Sequence, residues 1–513
     1  MTDASRRGAL MVCGTASDVG KSLVVAGLCR LLHRRGVSVA PFKGQNMALN
    51  SAVTVDGAEI GRAQAAQASA AGVVAEAAMN PVLLKPTSER TSQVVVLGRP
   101  WRTLDAAAFQ QAKAELADVV LEALTSLRRR FDVVLLEGAG SPAEINLYGH
   151  DLVNLGLAHR AGVPAIVVGD IDRGGVFAHL YGTVALLPPA WRDSVRGFVI
   201  NRFRGDPALL AEGPAELEQR CGVPTLGVLP WLDGVDLDAE DSLALRRPRP
   251  RPYGPGTDDR SARLDVAVVA LPHLSNFTDL DALAVEPDAT VRFVSSAGDL
   301  GRPDLLVLPG TKATVADLEW LRAQRLDRAL EELAHDRPVV LAICGGYQML
   351  GATIVDEQGV ESARPRVAGL GWLDVVTRFS PDKCTRVRQG HDRAGHPVAG
   401  YEIHHGRPEP GRGGRPWLAL DAPAGPEDEG VVDEAAGVYA TSLHGLLEGD
   451  EFRRAFLTTV AEWRGRRFVP SARSFAAARQ EQFDRVADAC EAHLDVTRLL
   501  DIVAEGAPAG ADA

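Results

Sequence analysis

PVVLAICGGYQMLG (338–351) is an apolar run that ends on a cysteine and is followed by two glycines and a helix-forming segment. A short continuous apolar run bounded by glycine reads as a strand buried on both faces. A strand, a tight turn and a helix in that order make a nucleophile elbow. It holds Cys344 at the strand end, beside a helix N-terminus that lowers the thiol pKa. The N–H of Gly345 is then placed to donate to an oxyanion. A second donor is expected from Gly310 or Thr311 in DLLVLPGTKAT (304–314), which also closes a strand. VYATSLHGLLE (438–448) puts His444 just after a short strand, where imidazole can activate the thiol. His404 and His405 in GYEIHHGR (400–407) are expected to pack nearby. A lone buried cysteine is usually a small core hydrophobe. The elbow glycines and the downstream histidine favour catalysis instead.

Outward from this elbow, LDVAVVA (264–270), DATVRFV (288–294) and DLLVLPG (304–310) are further buried strands. An earlier series reads ALMVC (9–13), VSVAPF (37–42), QVVVLG (93–98), DVVLLE (132–137), PAIVVGD (164–170), GFVIN (197–201) and TLGVLP (225–230). Helical segments such as 20–35, 105–130 and 206–221 separate its strands. Apolar runs alternating with helices predict parallel α/β sheets. A chain of 513 residues exceeds one hydrophobic core. Residues 1–244 and 263–500 are therefore expected to be two α/β domains. The proline- and arginine-rich stretch 245–262 reads as their linker. The Gly/Pro-rich segment from Gly406 to about Glu434 is expected to be a long surface loop, and 501–513 a disordered tail.

The first half opens with ALMVCGTASDVGKS (9–22), a strand running through a glycine turn into a helix. Backbone N–H groups at such a helix start cradle phosphates. Thr15 and Gly20 belong to the turn, Lys21 would reach the β- and γ-phosphates of ATP, and Ser22 would hold Mg²⁺. Five residues separate Gly14 from Gly20, one more than in the strict P-loop. Glu137 ends a strand before Gly138 and Gly140, and a carboxylate there can hold Mg²⁺. Asp172 is a second metal candidate, and Arg173 a candidate for stabilising a transferred phosphoryl group. Asn201, at another strand end, could read the adenine edge.

Net charge is −12, which disfavours nucleic acid as a partner. No apolar run is long enough to span a bilayer, so no membrane association is expected. The six cysteines are scattered without a C-x-x-C pair, which fits a reducing, cytoplasmic setting. Nothing in the sequence assigns an oligomeric state.

CGGYQML with the later LHG resembles the class I glutamine amidotransferases. Those usually carry a carboxylate two residues after the histidine, where this chain has Leu446; Glu448 is one possible replacement. The lengthened phosphate loop resembles that of dethiobiotin synthetase and its relatives. FKGQNMALNS (42–51), EIGRAQAAQA (59–68), MNPVLLKPTSERTSQVVVLG (79–98), EINLYGHDLVN (144–154), DIDRGGVFA (170–178), NFTDLDAL (276–283), LPGTKAT and GYEIHHGR resemble the cobyric acid synthase family over nearly the whole chain. The resemblance implies a P-loop, ATP-dependent amidoligase domain joined to a glutamine amidotransferase domain. It implies amidation of the b, d, e and g carboxylates of adenosylcobyrinic acid a,c-diamide, with glutamine and ATP consumed.

A flat polycarboxylate needs cationic and amide partners. Lys43, Gln45, Asn46, Asn50, Lys85, Arg90, Arg173, Arg202 and Arg204 are candidates. Cobyrinic acid a,c-diamide synthase shares the two-domain plan, but FKGQNMALNS and MNPVLLKPTSERTSQ favour the first family. A partitioning-type P-loop ATPase switch would not need Cys344 with His444.

Overall fold

The computed structural model describes residues 8–87, 90–235, 237 and 263–506. The expected linker 245–262 lies outside them.

The first half is built on a six-stranded parallel sheet. Its strands in chain order are β1 (Gly8–Gly14), β2 (Val39–Phe42), β3 (Val133–Glu137), β4 (Ala165–Asp170), β5 (Val195–Phe203) and β6 (Thr225–Pro230). They lie side by side as β6-β5-β4-β1-β3-β2. The order reverses at β1, which pairs with β3 on one side and β4 on the other. Ligands of open α/β sheets sit at the C-terminal strand ends beside such a reversal. Helix α1 (Lys21–Arg34) leaves β1 through Gly20, whose φ of 101° suits glycine. Its Val24, Leu28, Leu31 and Leu32 recur at helical spacing and are buried.

QVVVLG departs from the expectation. Thr91–Val96 pairs antiparallel with Val82–Pro86 and with Arg99–Asp105, in a separate four-stranded sheet. Leu97 and Gly98 both have positive φ and make the two-residue hairpin turn that forces the antiparallel return.

The second half has a six-stranded sheet of its own. Its strands are β7 (Leu264–Val269), β8 (Ala289–Val294), β9 (Leu305–Leu308), β10 (Val339–Ile343), β13 (Val431–Asp433) and β14 (Val438–Thr441). The order is β8-β7-β9-β10-β14-β13, parallel except for the β13–β14 pair. A second sheet is dominated by a long hairpin of β11 (Leu373–Asp392) and β12 (Pro397–Pro410). The stretch expected to be a surface loop instead continues β12 and forms Leu418–Leu420, Glu427–Glu429 and β13. Trp417, Leu418, Leu420, Val431 and Val432 are buried there, apolar anchors among the glycines and prolines.

The chain then returns to the first half. Helices α4 (Phe475–His493) and α5 (Val496–Glu505) were expected in the second domain, with 501–513 disordered. Phe483, Val486, Cys490, Leu499 and Ile502 instead share a core with α1 and β1. Gly27 permits this close approach, since a Cβ there would lie 2.7 Å from Val486. Arg30 grips Asp484 through two hydrogen bonds of 2.8 and 2.9 Å. Residues 501–505 are thus helical, and only 507–513 of the expected tail fall outside the described residues.

Between the halves lies the FKGQNMALNS segment. The Ser51 N–H donates to Asn276 Oδ1 at 3.0 Å, and Tyr401 Oη donates to Ser51 O at 3.0 Å. Glu59, from the first half, accepts from Lys85 at 2.6 Å and from Lys383 of β11 at 2.5 Å, all three side chains being nearly inaccessible. Burial disfavours the Glu59 carboxylate, but the two ammonium groups outweigh it and hold its pKa well below the ordinary range. Removing one partner of such a cluster leaves uncompensated buried charge, at a cost of about 3–5 kcal/mol. Glu59→Gln should lower the urea midpoint of unfolding accordingly, whereas substitution of an exposed charge such as Glu216 should leave it nearly unchanged.

Candidate active centres

The elbow is present. Helix α3 (Gly345–Leu350) follows β10, and Cys344 stands between them with φ 49° and ψ −106°. A non-glycine residue there stores about 1–3 kcal/mol of strain. The surroundings fix it: Cys344 N donates to Thr441 O at 2.7 Å, and Gln348 N donates to Cys344 O at 3.0 Å. Gly346 has no room for a Cβ, which would lie 2.0 Å from Leu308 O. Gly345 faces Thr311, whose N would be 3.0 Å from such a Cβ. Gly310 faces His444, with 2.8 Å from its missing Cβ to Cε1. The structure therefore brings Cys344, Gly345, Gly310, Thr311 and His444 together at the C-terminal ends of β9, β10 and β14.

The carboxylate that meets His444 is Asp279, which the sequence reading did not single out. It lies in the 3₁₀ segment Phe277–Val285 after β7. Its Oδ2 lies 2.7 Å from His444 Nδ1, and its Oδ1 accepts from Gly445 N at 2.8 Å. This arrangement assigns the Nδ1–H tautomer and turns Nε2 towards the thiol. Glu448 is committed elsewhere, to Arg62 of the first half at 2.6 Å. Asp279 precedes the histidine by 165 residues, so no local spacing could reveal it.

Burial opposes charge on both members of the pair, yet each charges the other. His444 is pushed up to about 10, because Asp279 and Cys344 outweigh its desolvation. Cys344 moves down from the ordinary thiol range, because the imidazolium outweighs its burial. Their pairing favours the thiolate and imidazolium forms. Around it, the pocket is lined by Lys312, Gln348, Glu361 and His404 of the second half and by Lys85 of the first. His405 lines it too; burial and the nearby lysines push it down to about 4, so it is neutral.

In the first half, Lys21 Nζ donates to Ala16 O at 2.8 Å and Gly140 O at 3.2 Å, bridging the phosphate loop and the turn after β3. Ser22 Oγ donates to Glu137 Oε1 at 2.8 Å. Gln67 and Lys43 also reach Glu137, Lys43 at 2.9 Å. Burial opposes the Glu137 carboxylate, but Lys43, Gln67 and Ser22 lower its pKa.

Several expected sites are placed differently. Lys43 and Lys85 are buried in ion pairs with Glu137 and Glu59, and do not form an open cationic surface. Asn46 is buried against Gln64, at 3.0 Å, while Gln45 is half-buried. Asn50 receives the Phe277 N–H between the halves. Asn201 donates to Val19 O at 2.9 Å, and so holds the phosphate loop from below. Asp172 is ion-paired with Arg204 at 3.3 Å, whereas Asp170 is the buried carboxylate at the end of β4, joined to Arg202 at 2.7 Å. Arg90 and Arg173 are exposed.

Residues 10–244 match the model of the CobQ/CobB/MinD/ParA nucleotide binding domain, and residues 265–452 that of the CobB/CobQ-like glutamine amidotransferase domain. A cobyric acid synthase of Frankia casuarinae is 52% identical, covering 98% of this chain and 98% of its own. One from Rhodococcus jostii is 51% identical over 99% and 98%, and one from Yersinia enterocolitica 46% over 96% and 98%. The chain belongs to the cobyric acid synthase family. It is a glutamine-hydrolysing ligase with two α/β halves, as the motifs implied. Among its described residues, no helix is long and apolar enough to cross a membrane.

Within this family the Asp279–His444 contact makes a sharp prediction. Asp279→Asn removes the charge that favours the imidazolium and disturbs its tautomer. By analogy with other triads, glutaminase kcat should fall by up to about 10⁴-fold. Alkylation of Cys344 by iodoacetamide at neutral pH should slow in parallel, because the thiolate share drops. A variant that keeps wild-type alkylation would show that Asp279 does not maintain the ion pair.

Proposed function

We propose that this chain amidates the b, d, e and g carboxylates of adenosylcobyrinic acid a,c-diamide, using glutamine and ATP, and yields adenosylcobyric acid. The observation that carries the reading is the Cys344–His444–Asp279 arrangement in a pocket that Lys85 of the nucleotide-binding half helps to wall.

The Cys344 thiolate attacks the side-chain amide carbon of glutamine. Gly345 N–H, with Gly310 or Thr311 N–H, stabilises the oxyanion. The His444 imidazolium gives its proton to the departing nitrogen, so ammonia leaves and a thioester remains. Water, deprotonated by His444, then releases glutamate. Lys312 and Glu361 offer opposite charges to the zwitterionic end of glutamine. Burial lowers the pKa of Lys312 and raises Glu361 to about 7, and a bound zwitterion that pairs with both would favour their charged forms.

In the first half a substrate carboxylate oxygen attacks the γ-phosphorus of ATP, and ADP leaves. The acyl phosphate so formed has the leaving group that a bare carboxylate lacks. Ammonia then forms the amide and expels phosphate. Lys21 neutralises charge on the transferred group, while Lys43 compensates the buried Glu137 carboxylate. Ser22 and Glu137 are hard oxygen donors 2.8 Å apart, a pairing that suits Mg²⁺. That ion would supply charge neutralisation on the phosphates. Arg90 and Arg173 are the exposed cationic candidates for the substrate's carboxylates. Ammonia is useful only if it reaches the acyl phosphate before water takes it up. The test is to incubate purified protein with the a,c-diamide, glutamine, ATP and Mg²⁺, and to count acid-to-amide conversions by mass spectrometry. A product that gains no amide would refute the reading.

A further inference from the structure

The long hairpin carries a second cluster that the ligase chemistry does not use. Cys384 on β11 stands directly opposite His404 on β12. Glu402, two residues before His404, projects to the same face. An irregularity in the ladder just before Cys384 re-aims the strand at this point. The Cys384 Sγ and one ligand atom each of Glu402 and His404 all lie within 4.8 Å of one another.

What marks the cluster is how its atoms are held. His404 Nδ1 lies 2.7 Å from Gly406 O, so Nδ1 carries a hydrogen and Nε2 is the ring atom left to face Cys384 and Glu402. That Nε2 is buried and makes no hydrogen bond. Its nearest carboxylate oxygen, Glu402 Oε1, is 3.6 Å away, too far to bond. The other oxygen, Oε2, is held by Arg386 at 2.5 Å, which leaves Oε1 to face the histidine. Buried polar atoms rarely converge without bonding unless something sits between them. Zinc bonds of about 2.0–2.3 Å at tetrahedral angles put ligand atoms about 3.3–3.8 Å apart.

The geometry points to a zinc ion bound by Cys384, Glu402 and His404. One sulfur, one imidazole nitrogen and one carboxylate oxygen select zinc over Mg²⁺ or Ca²⁺. A histidine whose other nitrogen bonds a backbone carbonyl, and a carboxylate whose other oxygen bonds an arginine, are the outer partners that orient metal ligands. The nearby arginines do not forbid a cation, because Arg388 also pairs with Glu427 at 2.9 Å and Glu429 lines the same cleft. The fourth position opens towards that cleft, beside Tyr347 and Ser442. His404 also lines the Cys344 pocket, so the ion would fix the imidazole that forms one wall of it.

The full-length chain, stripped with a chelator, is titrated with zinc against a chromophoric competitor, and with cobalt while its spectrum is recorded. The expected result is one high-affinity ion per chain and a thiolate-to-cobalt charge-transfer band. Cys384→Ser should abolish the band and weaken zinc binding at least tenfold, and Glu402→Gln should weaken binding while keeping the band. Should Cys384→Ser fold poorly, zinc added to the stripped wild type should still raise its Tm. Absence of binding by the stripped wild type, or binding unchanged in a folded Cys384→Ser variant, would overturn the assignment.

Discussion

Cys344→Ala should abolish glutamine-dependent amidation and leave ammonia-dependent amidation intact at raised ammonium concentration and pH. In the proposed reaction the thiol on the elbow, beside His444, takes the acyl portion of glutamine. His444 would then lack the nucleophile that it activates, although the oxyanion donors would stay in place. Removing one member of such a unit typically costs about 10⁴–10⁶-fold. On the proposed reading the acyl phosphate forms in the other half, where Lys21, Ser22 and Glu137 hydrogen-bond to residues of that half. Free ammonia supplied from solution therefore bypasses the lesion. A folded variant that loses both activities would contradict this division of labour.

Lys21→Ala should do the reverse. Its ammonium group spans the loop from Ala16 to Gly140, where phosphate oxygens are expected. Loss of one such charge from a phosphoryl-transfer site costs about 10²–10³-fold or more in turnover. Amide formation should stop with either nitrogen source, while basal glutamine hydrolysis at Cys344 continues. Paired assays of glutamate and ADP release read the two activities separately. Amide formation that persists at the wild-type rate would remove Lys21 from the phosphate site.

The elbow and the phosphate loop were legible because each is a local pattern. A buried strand, its glycines and a helix start lie within about fifteen residues, and backbone sterics dictate the turn. Asp279 was illegible for the opposite reason: its partner is 165 residues away, and only the sheet order brings β7 and β14 to one edge. The return of α4 and α5 to the first half was equally hidden. An amphipathic helix declares that it has an apolar face, not which core receives it. Asp170 and Asp172 show a finer limit. Both sit at a strand end, and which one is buried depends on β4 continuing to Asp170, in register with Asn201. Lys43 and Lys85 were read as surface groups for a polycarboxylate. Their partners, Glu137 and Glu59, belong to other segments of the same half, so the buried pairs emerge only on folding.

The central claim is that ammonia made at Cys344 is consumed at the acyl phosphate on the same chain. It is tested most directly with glutamine labelled with ¹⁵N in its side-chain amide, together with the a,c-diamide, ATP and excess unlabelled ammonium at neutral pH. Mass spectrometry of the corrinoid then reads the source of each new nitrogen. The b, d, e and g amides should carry mostly ¹⁵N in the wild type and only unlabelled nitrogen in Cys344→Ala. Label diluted to the level of the bulk ammonium in the wild type would contradict it.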